Sequence, residues 1–287
     1  MGVRYAEVIG DPIAHSKSPL IHKFWLEKLG LEGDFRKTRV AADDLSSFLE
    51  QRRGDPDWLG CNVTIPHKQA VEPLLDAVDP AAARIGAINI VAPETRDGAR
   101  RLVGYNSDAP GFLEPLRPFL ARRHLFRLAR ILGSGGAARA VADALWEEGF
   151  TLVVIARDPQ KAEALRARFA PADSHVGSLG DLASPTDFRF DDREGIFDLV
   201  VNATSLGMEG QPPLAIDFSH VPPGAVVYDL VYAPLETPLL AAARARGLPT
   251  IDGLDMLVGQ ASIAFVRFFG RRAPRAHDGA LRALLTR

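Results

Sequence analysis

A glycine-rich turn at residues 133–136 constrains the fold of this chain more than any other feature. The apolar residues before it, 128–132, predict a buried strand, and residues 137–148 predict a helix. Glycines in such a turn let the backbone bend tightly and approach a pyrophosphate, while the helix N-terminus offers free N–H groups and partial positive charge. The pattern predicts a Rossmann-type dinucleotide site formed by Gly133, Ser134, Gly135, Gly136 and Ala137. The alternative is an ordinary turn.

The next predicted strand ends at Ala156, where a Rossmann-type domain recognises the ribose of its cofactor. An acidic residue there favours NAD, whereas an arginine favours the 2′-phosphate of NADP. Arg157 therefore favours NADP, and Lys161 lies near enough in sequence to help. Asp158 would repel a 2′-phosphate, but it could instead cap the helix that Pro159 begins. NADP is the expected cofactor and NAD the less favoured one; alternatively, both basic side chains are merely solvated.

Short apolar runs alternate with helical patterns over the first hundred residues, which predicts a mostly parallel sheet covered on both faces. The expected strands there are 5–9, 35–40, 59–63, 87–92 and 102–105, with helices at 19–29 and from Pro66. A second series follows, with further strands expected at 151–156, 197–202 and 225–228. The predicted class is α/β with two domains, the second of the Rossmann type.

The C-terminal residues predict helices, and the strongly apolar helix 254–269 is not needed by a dinucleotide domain. We therefore expect a substrate-binding domain at 1–108, completed by helices at 253–287, and a Rossmann NADP-binding domain at 109–252. The connections are expected near 106–112 and 235–252, with a ligand cleft between the domains. The polar and acidic segment 184–195 is expected to be a solvated loop.

Charge and composition exclude several classes of protein. The 287 residues carry a formal net charge of −2, so no long-range field would attract nucleic acid. No apolar run reaches the roughly 20 residues of a membrane span, and the N-terminus lacks the regions of a secretory signal. Cys61 is the only cysteine, so no intrachain disulfide can form, and the expected location is the cytoplasm. Neither Cys61 nor the histidines show ligand spacing, so no metal site is expected.

Four polar motifs adjoin the predicted strands of the first domain, at residues 16–19, 62–68, 86–89 and 105–108. Ligands of open α/β sheets lie beyond the carboxyl ends of the strands. The motifs offer hydroxyls, amides, one ammonium group and one carboxylate, which together suit a small, hydroxyl-rich, anionic substrate.

Each of these motifs also has a purely structural explanation. Ser18 and Asp108 could cap helices, and Asn62 and Thr64 could form turns. Lys68 could be an exposed helix lysine, the usual environment of that residue. The occurrence of all four motifs together favours a site.

With these motifs the sequence resembles the shikimate dehydrogenase family over nearly the whole chain. The similarity runs from IGDPIAHSKSP at residues 9–19 to DGLDMLVGQA at residues 252–261. Between them lie NVTIPHK at 62–68, GSGGA at 133–137, NATSLGM at 202–208 and YDLVY at 228–232.

The resemblance implies roles for individual residues. The substrate carboxylate would be bound by Ser16 and Ser18. The ring hydroxyls would be held by Thr64, Asn89, Tyr232 and Gln260, with Asn62 supporting them. The catalytic pair would be Lys68 and Asp108. The pyrophosphate would lie on Gly133–Ala137, the adenosine end of NADP on Ala156–Lys161, and the nicotinamide side would be lined by Thr204, Ser205, Leu230 and Gly253.

The chemistry of the catalytic pair agrees with these roles. Reduction of a ketone needs a hydride on carbon and a proton on oxygen, and the cofactor supplies the hydride. A lysine is a suitable proton donor where a nearby carboxylate orients it, and in the oxidation direction the neutral lysine takes the hydroxyl proton. We therefore expect Lys68 to transfer the proton and Asp108 to orient it.

Three short segments depart from the family pattern. The usual Asn-Arg-Thr or Asn-Arg-Ser cofactor motif is replaced by Ala156, Arg157 and Asp158, which keeps only the arginine of that motif. The family often has glycine after the catalytic aspartate, whereas this chain has Ala109 and Pro110, and the proline would stiffen the hinge. Ser107 replaces the threonine that usually precedes the catalytic aspartate.

The activity implied by the resemblance is NADPH-dependent reduction of 3-dehydroshikimate to shikimate, in aromatic amino-acid biosynthesis. Asp158 keeps a quinate/shikimate or aminoshikimate dehydrogenase with NAD or mixed cofactor use open, while Ser18 mildly favours the biosynthetic enzyme. A dehydrogenase of the folate type would not need Ser16, Ser18 and Gln260 together, and a metabolite-sensing regulator would not need a complete catalytic pair. The partner is expected to be a small-molecule substrate, and the chain a monomer or homodimer.

Overall fold

The computed structural model describes residues 2–169, 174–183, 195–219 and 221–287. It divides into two compact units: Met1–Gly111 together with Leu257–Arg287, and Phe112–Met256. The limits of the functional domains at 108/109 and 252/253 remain predictions. The loop predicted at 184–195 lies outside the described residues, apart from Gly195.

The elements alternate along the chain. In the N-terminal part they are β1 (Tyr5–Gly10), α1 (Ser18–Leu29), β2 (Asp34–Arg39), α2 (Leu45–Arg53), β3 (Trp58–Val63), α3 (His67–Ala70), β4 (Ala77–Val78), α4 (Pro80–Ile85), β5 (Ile90–Arg96), β6 (Ala99–Tyr105) and α5 (Asp108–Leu113). There follow α6 (Arg117–Leu120), β7 (Phe126–Leu132), α7 (Gly136–Glu147), β8 (Thr151–Ala156), α8 (Pro159–Phe169), β9 (His175–Ser178), β10 (Ile196–Asn202), β11 (Val226–Asp229), α9 (Pro238–Ala245) and β12 (Thr250–Ile251). The chain then forms α10 (Gly253–Phe269) and α11 (Asp278–Leu285). Short 3-10 helices lie at Ala42–Asp44, Glu72–Leu74, Glu114–Leu116, Leu179–Ala183 and Arg275–His277. None of the helices in the described part of the chain is long and apolar enough to cross a membrane.

The first unit contains a six-stranded sheet with the strand order β2-β1-β3-β5-β6-β4. The pairings β1–β2, β1–β3 and β4–β6 are parallel, as predicted for most of this sheet. Strand β5 pairs antiparallel with both β3 and β6, and Asp97 and Gly98, both with positive φ, turn the β5–β6 hairpin. Strands β1, β3 and β6 therefore run in one direction, and β5 begins at the edge where they end.

The strand expected at 87–92 begins only at Ile90. The Ile88 N–H donates to the Lys68 carbonyl in α3 at 2.6 Å, so Ile88 bonds to a helix, whereas the Asn89 N–H already donates to the Tyr105 carbonyl of β6 at 3.0 Å. Residues 87–89 thus form a connection at the edge where β1, β3 and β6 end.

Apolar side chains cover both faces of this sheet, and the polar side chain of His22 is buried among them. His22 of α1 is fully buried and stacks on Phe35, with ring centroids 3.9 Å apart. Phe265 and Phe268 of α10 also contact its ring. Neither ring nitrogen has a hydrogen-bond partner among the residues that the structure describes, and burial lowers the pKa of His22 from 6.5 to about 3.

Replacing His22 with phenylalanine is expected to weaken the acid sensitivity of folding. Because the folded chain keeps this imidazole neutral while the unfolded chain protonates it, its contribution is complete above about pH 6.5 and is lost towards pH 3. Between pH 7.5 and pH 5, the unaltered protein should lose about 2 kcal/mol more unfolding free energy than the variant. Urea unfolding at both pH values measures the difference, and equal losses would contradict the assignment.

The second unit contains a six-stranded, fully parallel sheet with the order β12-β11-β10-β7-β8-β9. Read from β9 and counted by appearance in this unit, the order is the 3-2-1-4-5-6 of a Rossmann fold, as predicted. The strand order reverses between β7 and β10, and ligands of such sheets bind beyond the carboxyl ends of the strands at this reversal. The connection after β7 is the glycine-rich turn, and the connection after β10 carries Thr204 and Ser205.

Candidate active site

Lys68 and Asp108 form an ion pair at the edge where β3 and β6 end. Lys68 Nζ donates to Asp108 Oδ2 at 2.5 Å, and the side chains are only 15% and 5% exposed. The exposed-helix explanation of Lys68 is therefore wrong. An ammonium group held this close to a buried carboxylate is oriented, and it can donate a proton to an atom placed beside it.

The other carboxylate oxygen of Asp108, Oδ1, also accepts a hydrogen bond. Asn89 Nδ2 donates to Asp108 Oδ1 at 2.8 Å and contacts Ser107 Oγ at 2.9 Å and Gln260 Oε1 at 3.4 Å. Asn89 Oδ1 accepts the Ser107 N–H at 2.7 Å. Lys68, Asp108, Asn89 and Gln260, far apart in sequence, thus belong to one buried polar network.

The capping explanation of Asp108 is also wrong, because Asn106 has that function. Asn106 Oδ1 accepts the backbone N–H of Asp108 at 2.9 Å and of Ala109 at 3.2 Å. The carboxylate of Asp108 is thereby left for Lys68 and Asn89. Asn106 and Ser107 received no role from the sequence, although both lie within one of the four polar motifs.

Asn62 adjoins the same network. Its Nδ2 donates to the Asn89 carbonyl at 3.2 Å, while its buried Oδ1 has no hydrogen-bond partner among the described residues. Thr64 follows on the end of β3 and is partly exposed. A buried acceptor without a protein partner can take a hydroxyl donor from a ligand.

Ser16 lies in the connection after β1, which pairs with β3, and Ser18 is the first residue of α1. The Ser18 N–H donates to Ser16 Oγ at 3.4 Å, and Ser18 is buried. The N-cap of α1 is Lys17, so the structure does not use Ser18 as a cap. Within the described residues, no hydrogen bond links either serine to the Lys68 network.

In the glycine-rich turn of the second unit, Gly133 and Gly135 differ in whether a residue with a Cβ atom would fit. Gly133 has φ +118°, and a Cβ there would lie 2.9 Å from the Ala203 carbonyl oxygen, so only glycine fits. Gly135 has an ordinary extended backbone, and a Cβ there would meet nothing within 4 Å. Gly135 precedes α7, whose first turn has no side-chain cap. This open approach to free N–H groups fits a pyrophosphate.

Arg157, Asp158 and Lys161, which follow β8, differ in their contacts. Asp158 Oδ1 accepts the N–H groups of Gln160 at 3.0 Å and Lys161 at 3.3 Å, so it caps α8, one of the two predicted possibilities. Lys161 Nζ lies 3.9 Å from Asp158 Oδ2 and is largely exposed. Arg157 is exposed and makes no hydrogen bond or ion pair within the described chain. Its guanidinium group is available to an anion.

A buried polar network supports the connections after β10 and β11. Asn202 Oδ1 accepts from the N–H and hydroxyl of Thr204 at 3.0 and 2.7 Å, and Asn202 Nδ2 donates to Asp229 Oδ1 at 2.9 Å. Asp229 Oδ2 accepts from Thr237 at 2.6 Å. Burial raises the pKa of Asp229, and these hydrogen bonds oppose that shift. The sequence singled out Thr204 and the exposed Ser205 but not the three supporting residues, all of which are buried.

Gly253 is another glycine that a close approach requires. A Cβ there would lie 2.4 Å from the Leu230 carbonyl oxygen, so α10 begins against the end of β11. Tyr232 follows in the same connection, and burial raises the pKa of its hydroxyl. Among the described residues, no group of three or more His, Cys, Asp or Glu side chains is arranged to hold a metal ion.

Comparison with known proteins gives consistent results. The model of the shikimate dehydrogenase substrate binding domain matches residues 8–91. A shikimate dehydrogenase (NADP(+)) from Sphingopyxis alaskensis is 50% identical over 98% of this chain and 96% of its own length.

Two solved structures share the architecture of both units. Shikimate 5-dehydrogenase from Thermus thermophilus, in complex with NADP(H) and shikimate, is 37% identical with a TM-score of 0.80, covering 98% of this chain and 99% of the other. Quinate dehydrogenase from Corynebacterium glutamicum, in complex with NAD, is 31% identical with a TM-score of 0.82, covering 98% and 99%.

Proposed function

Because this chain belongs to the shikimate dehydrogenase family, we propose that it catalyses the reversible, NADPH-dependent reduction of 3-dehydroshikimate to shikimate. The observation that carries the proposal is the buried pair of Lys68 and Asp108, which Asn89 holds from the other side. A regulator that only sensed metabolites would have no need of an ion pair held in this way.

In this proposal Lys68 moves the proton. Its ammonium group donates to the oxygen of the substrate ketone during reduction, and in the reverse direction its neutral amine takes the hydroxyl proton. Asp108 accepts a hydrogen bond from Lys68 Nζ at 2.5 Å and so fixes the direction in which the amine points. Asp108 itself is held by Asn89, and it does not exchange a proton with the substrate.

The remaining residues of the first unit bind the substrate. Ser16 and Ser18 are assigned to the carboxylate, since buried Ser18 is not used as a cap. The ring hydroxyls are assigned to Thr64, Asn89 and Gln260. Asn62 supports them, and its unpartnered Oδ1 suits a hydroxyl donor. The role of Tyr232 towards the substrate rests on the family resemblance alone.

The second unit fits NADP, which supplies the hydride when bound. Gly133, Ser134, Gly135, Gly136 and Ala137 would hold the pyrophosphate through the open N–H groups before and within α7. Ala156, Arg157, Asp158 and Lys161 would hold the adenosine end. Thr204, Ser205, Leu230 and Gly253 would line the nicotinamide side, on connections that Asn202 and Asp229 order.

A second activity, NAD-linked dehydrogenation of quinate, has one specific observation in its favour. Asp158 stands at the position where an acidic residue favours NAD, and the structurally similar quinate dehydrogenase is in complex with NAD. The use of Asp158 as a helix cap gives this residue another purpose, so we rank this activity second. We further propose a cytoplasmic location and a monomeric or homodimeric state.

The decisive experiment is a spectrophotometric assay of the purified chain. NADPH with 3-dehydroshikimate should be oxidised much faster than NADH, and shikimate should be oxidised faster than quinate with NADP. No turnover with either cofactor would refute the enzyme assignment. Faster quinate oxidation with NAD would replace the first activity by the second.

Gly133 and Gly135 of the turn give a matched test of the cofactor site. Gly135→Ala should leave the melting temperature unchanged and raise KM for NADPH about fivefold, because its methyl group enters open space on the pyrophosphate side. Gly133→Ala should instead lower the melting temperature by several degrees, since strain and the Ala203 contact affect the fold itself. Thermal unfolding and steady-state kinetics of both variants separate the two effects, and an unchanged KM in Gly135→Ala would place the pyrophosphate elsewhere.

A further inference from the structure

We propose that Asn106 is a positioning residue that keeps Asp108 and Lys68 at hydrogen-bonding distance from each other. The partly exposed Asn106 lies between β6 and α5, and its Oδ1 accepts the backbone N–H groups of Asp108 and Ala109 at 2.9 and 3.2 Å. Its Nδ2 donates to the Ala87 carbonyl at 2.8 Å. One amide therefore caps the helix that carries Asp108 and also holds the connection before β5.

That connection is bonded in turn to the segment of the catalytic lysine. The Ile88 N–H donates to the Lys68 carbonyl at 2.6 Å. On the other side, Asn89 Oδ1 accepts the Ser107 N–H at 2.7 Å. Residues 87–89 thus join α3 to the start of α5. We call this set of hydrogen bonds between residues 87–89, Lys68 and residues 106–107 the frame, and Asn106 contributes one of them.

The frame matters because the contact between Lys68 Nζ and Asp108 Oδ2 is short and directional. A displacement of about 1 Å in a catalytic group can cost up to about 100-fold in rate. Among the described residues, Asn106 makes no hydrogen bond to Lys68 Nζ or to a carboxylate oxygen of Asp108. It therefore acts only through the backbone of its neighbours.

Asparagine combines two functions that other capping residues do not share. Its carbonyl oxygen caps α5, as the hydroxyl of serine also could. Its NH₂ group reaches the Ala87 carbonyl, which a serine side chain is too short to reach. Asn106→Ser therefore removes the bond to Ala87 and keeps the cap, whereas Asn106→Ala removes both.

The control is a cap that lies in the same unit but outside this frame. Asp79 Oδ1 accepts the Ala81 N–H at 3.0 Å and caps α4. Asp79→Ala loses a helix cap and nothing that joins the segments of Lys68 and Asp108. Asp79→Ala and Asn106→Ala should therefore lower the melting temperature by a similar few degrees, about 2–4 °C.

This inference rests on the proposed function, so two readouts are used. In steady-state kinetics with 3-dehydroshikimate, kcat should fall about fivefold in Asn106→Ser and about tenfold in Asn106→Ala, while KM for NADPH stays within about twofold. Asp79→Ala should keep the kcat of the unaltered protein. Amide hydrogen exchange, which needs no turnover, should show faster exchange at the Ile88 N–H in both Asn106 variants only.

Two results would overturn the assignment of Asn106. One is a kcat within twofold of the unaltered protein together with unchanged exchange at Ile88. The other is an equal loss of kcat in Asp79→Ala, which would mean general loosening. If the unaltered protein shows no turnover, the proposed function fails, while the exchange at Ile88 still decides whether Asn106 joins the two segments.

Discussion

Replacing Lys68 with alanine is expected to lower kcat by about 10²–10⁴-fold, the range typical of a lost general acid or base. KM for 3-dehydroshikimate and for NADPH should change less than about threefold. The reason is that the proton is transferred only in the transition state, so removing its donor leaves ground-state binding almost intact. Stopped-flow and steady-state kinetics of NADPH oxidation measure both constants.

Loss of the lysine has a second consequence that must be separated from catalysis. Asp108 is 5% exposed, and without Lys68 its charge would be buried with only the amide of Asn89 as a partner. Unpaired buried charges destabilise proteins by about 3–5 kcal/mol, so Lys68→Ala should also melt earlier.

Two further variants make the separation. Lys68→Arg keeps a cation beside Asp108 but does not release its proton at neutral pH, so it should regain stability and not kcat. Lys23→Ala removes an exposed lysine that pairs with Asp34 at 2.9 Å, and it should change neither constant. A kcat in Lys68→Arg close to that of the unaltered protein would remove Lys68 from proton transfer.

The features that the sequence predicted well are those that neighbouring residues determine. The apolar run before Gly133, the turn itself and the helix after it are adjacent in the chain, and the structure has them in that order. The same holds for Asp158 and the helix that Pro159 begins, since a cap and the N–H groups it accepts are two or three residues apart.

The parts that sequence did not predict depend on the order of strands in a sheet. Asn106 meets Ala87 only because β5 and β6 form an antiparallel hairpin, which brings the start of one strand beside the end of the other. Asn202 meets Asp229 only because β10 and β11 are neighbours. In both cases a polar residue next to the end of a buried strand was the available signal, but its partner is set by tertiary structure. The family motifs contained Asn202 and Asp229, and the polar motifs contained Ala87 and Asn106, without indicating what these residues contact.

The second large effect is expected at the adenosine end of the cofactor. Arg157→Ala should lower kcat/KM for NADPH by about 10–100-fold, the equivalent of losing hydrogen bonds to a charged phosphate. The same variant should change kcat/KM for NADH less than about twofold, because NADH has no 2′-phosphate. Arg157 is exposed and unpaired within the described chain, so its removal should not lower the melting temperature. Equal losses with both cofactors would show that Arg157 does not recognise the 2′-phosphate.

Asp158→Asn is the matched variant, since asparagine caps helices as well as aspartate does. It retains an acceptor for the Gln160 and Lys161 N–H groups and removes only the charge, which lies 3.9 Å from Lys161 Nζ. If that charge opposes NADP, kcat/KM for NADPH should rise about threefold while that for NADH falls, because an acidic group also favours the ribose of NAD. Unchanged constants for both cofactors would mean that the N–H groups at the start of α8 already offset the charge of Asp158. Arg157 alone would then set the preference for NADPH over NADH.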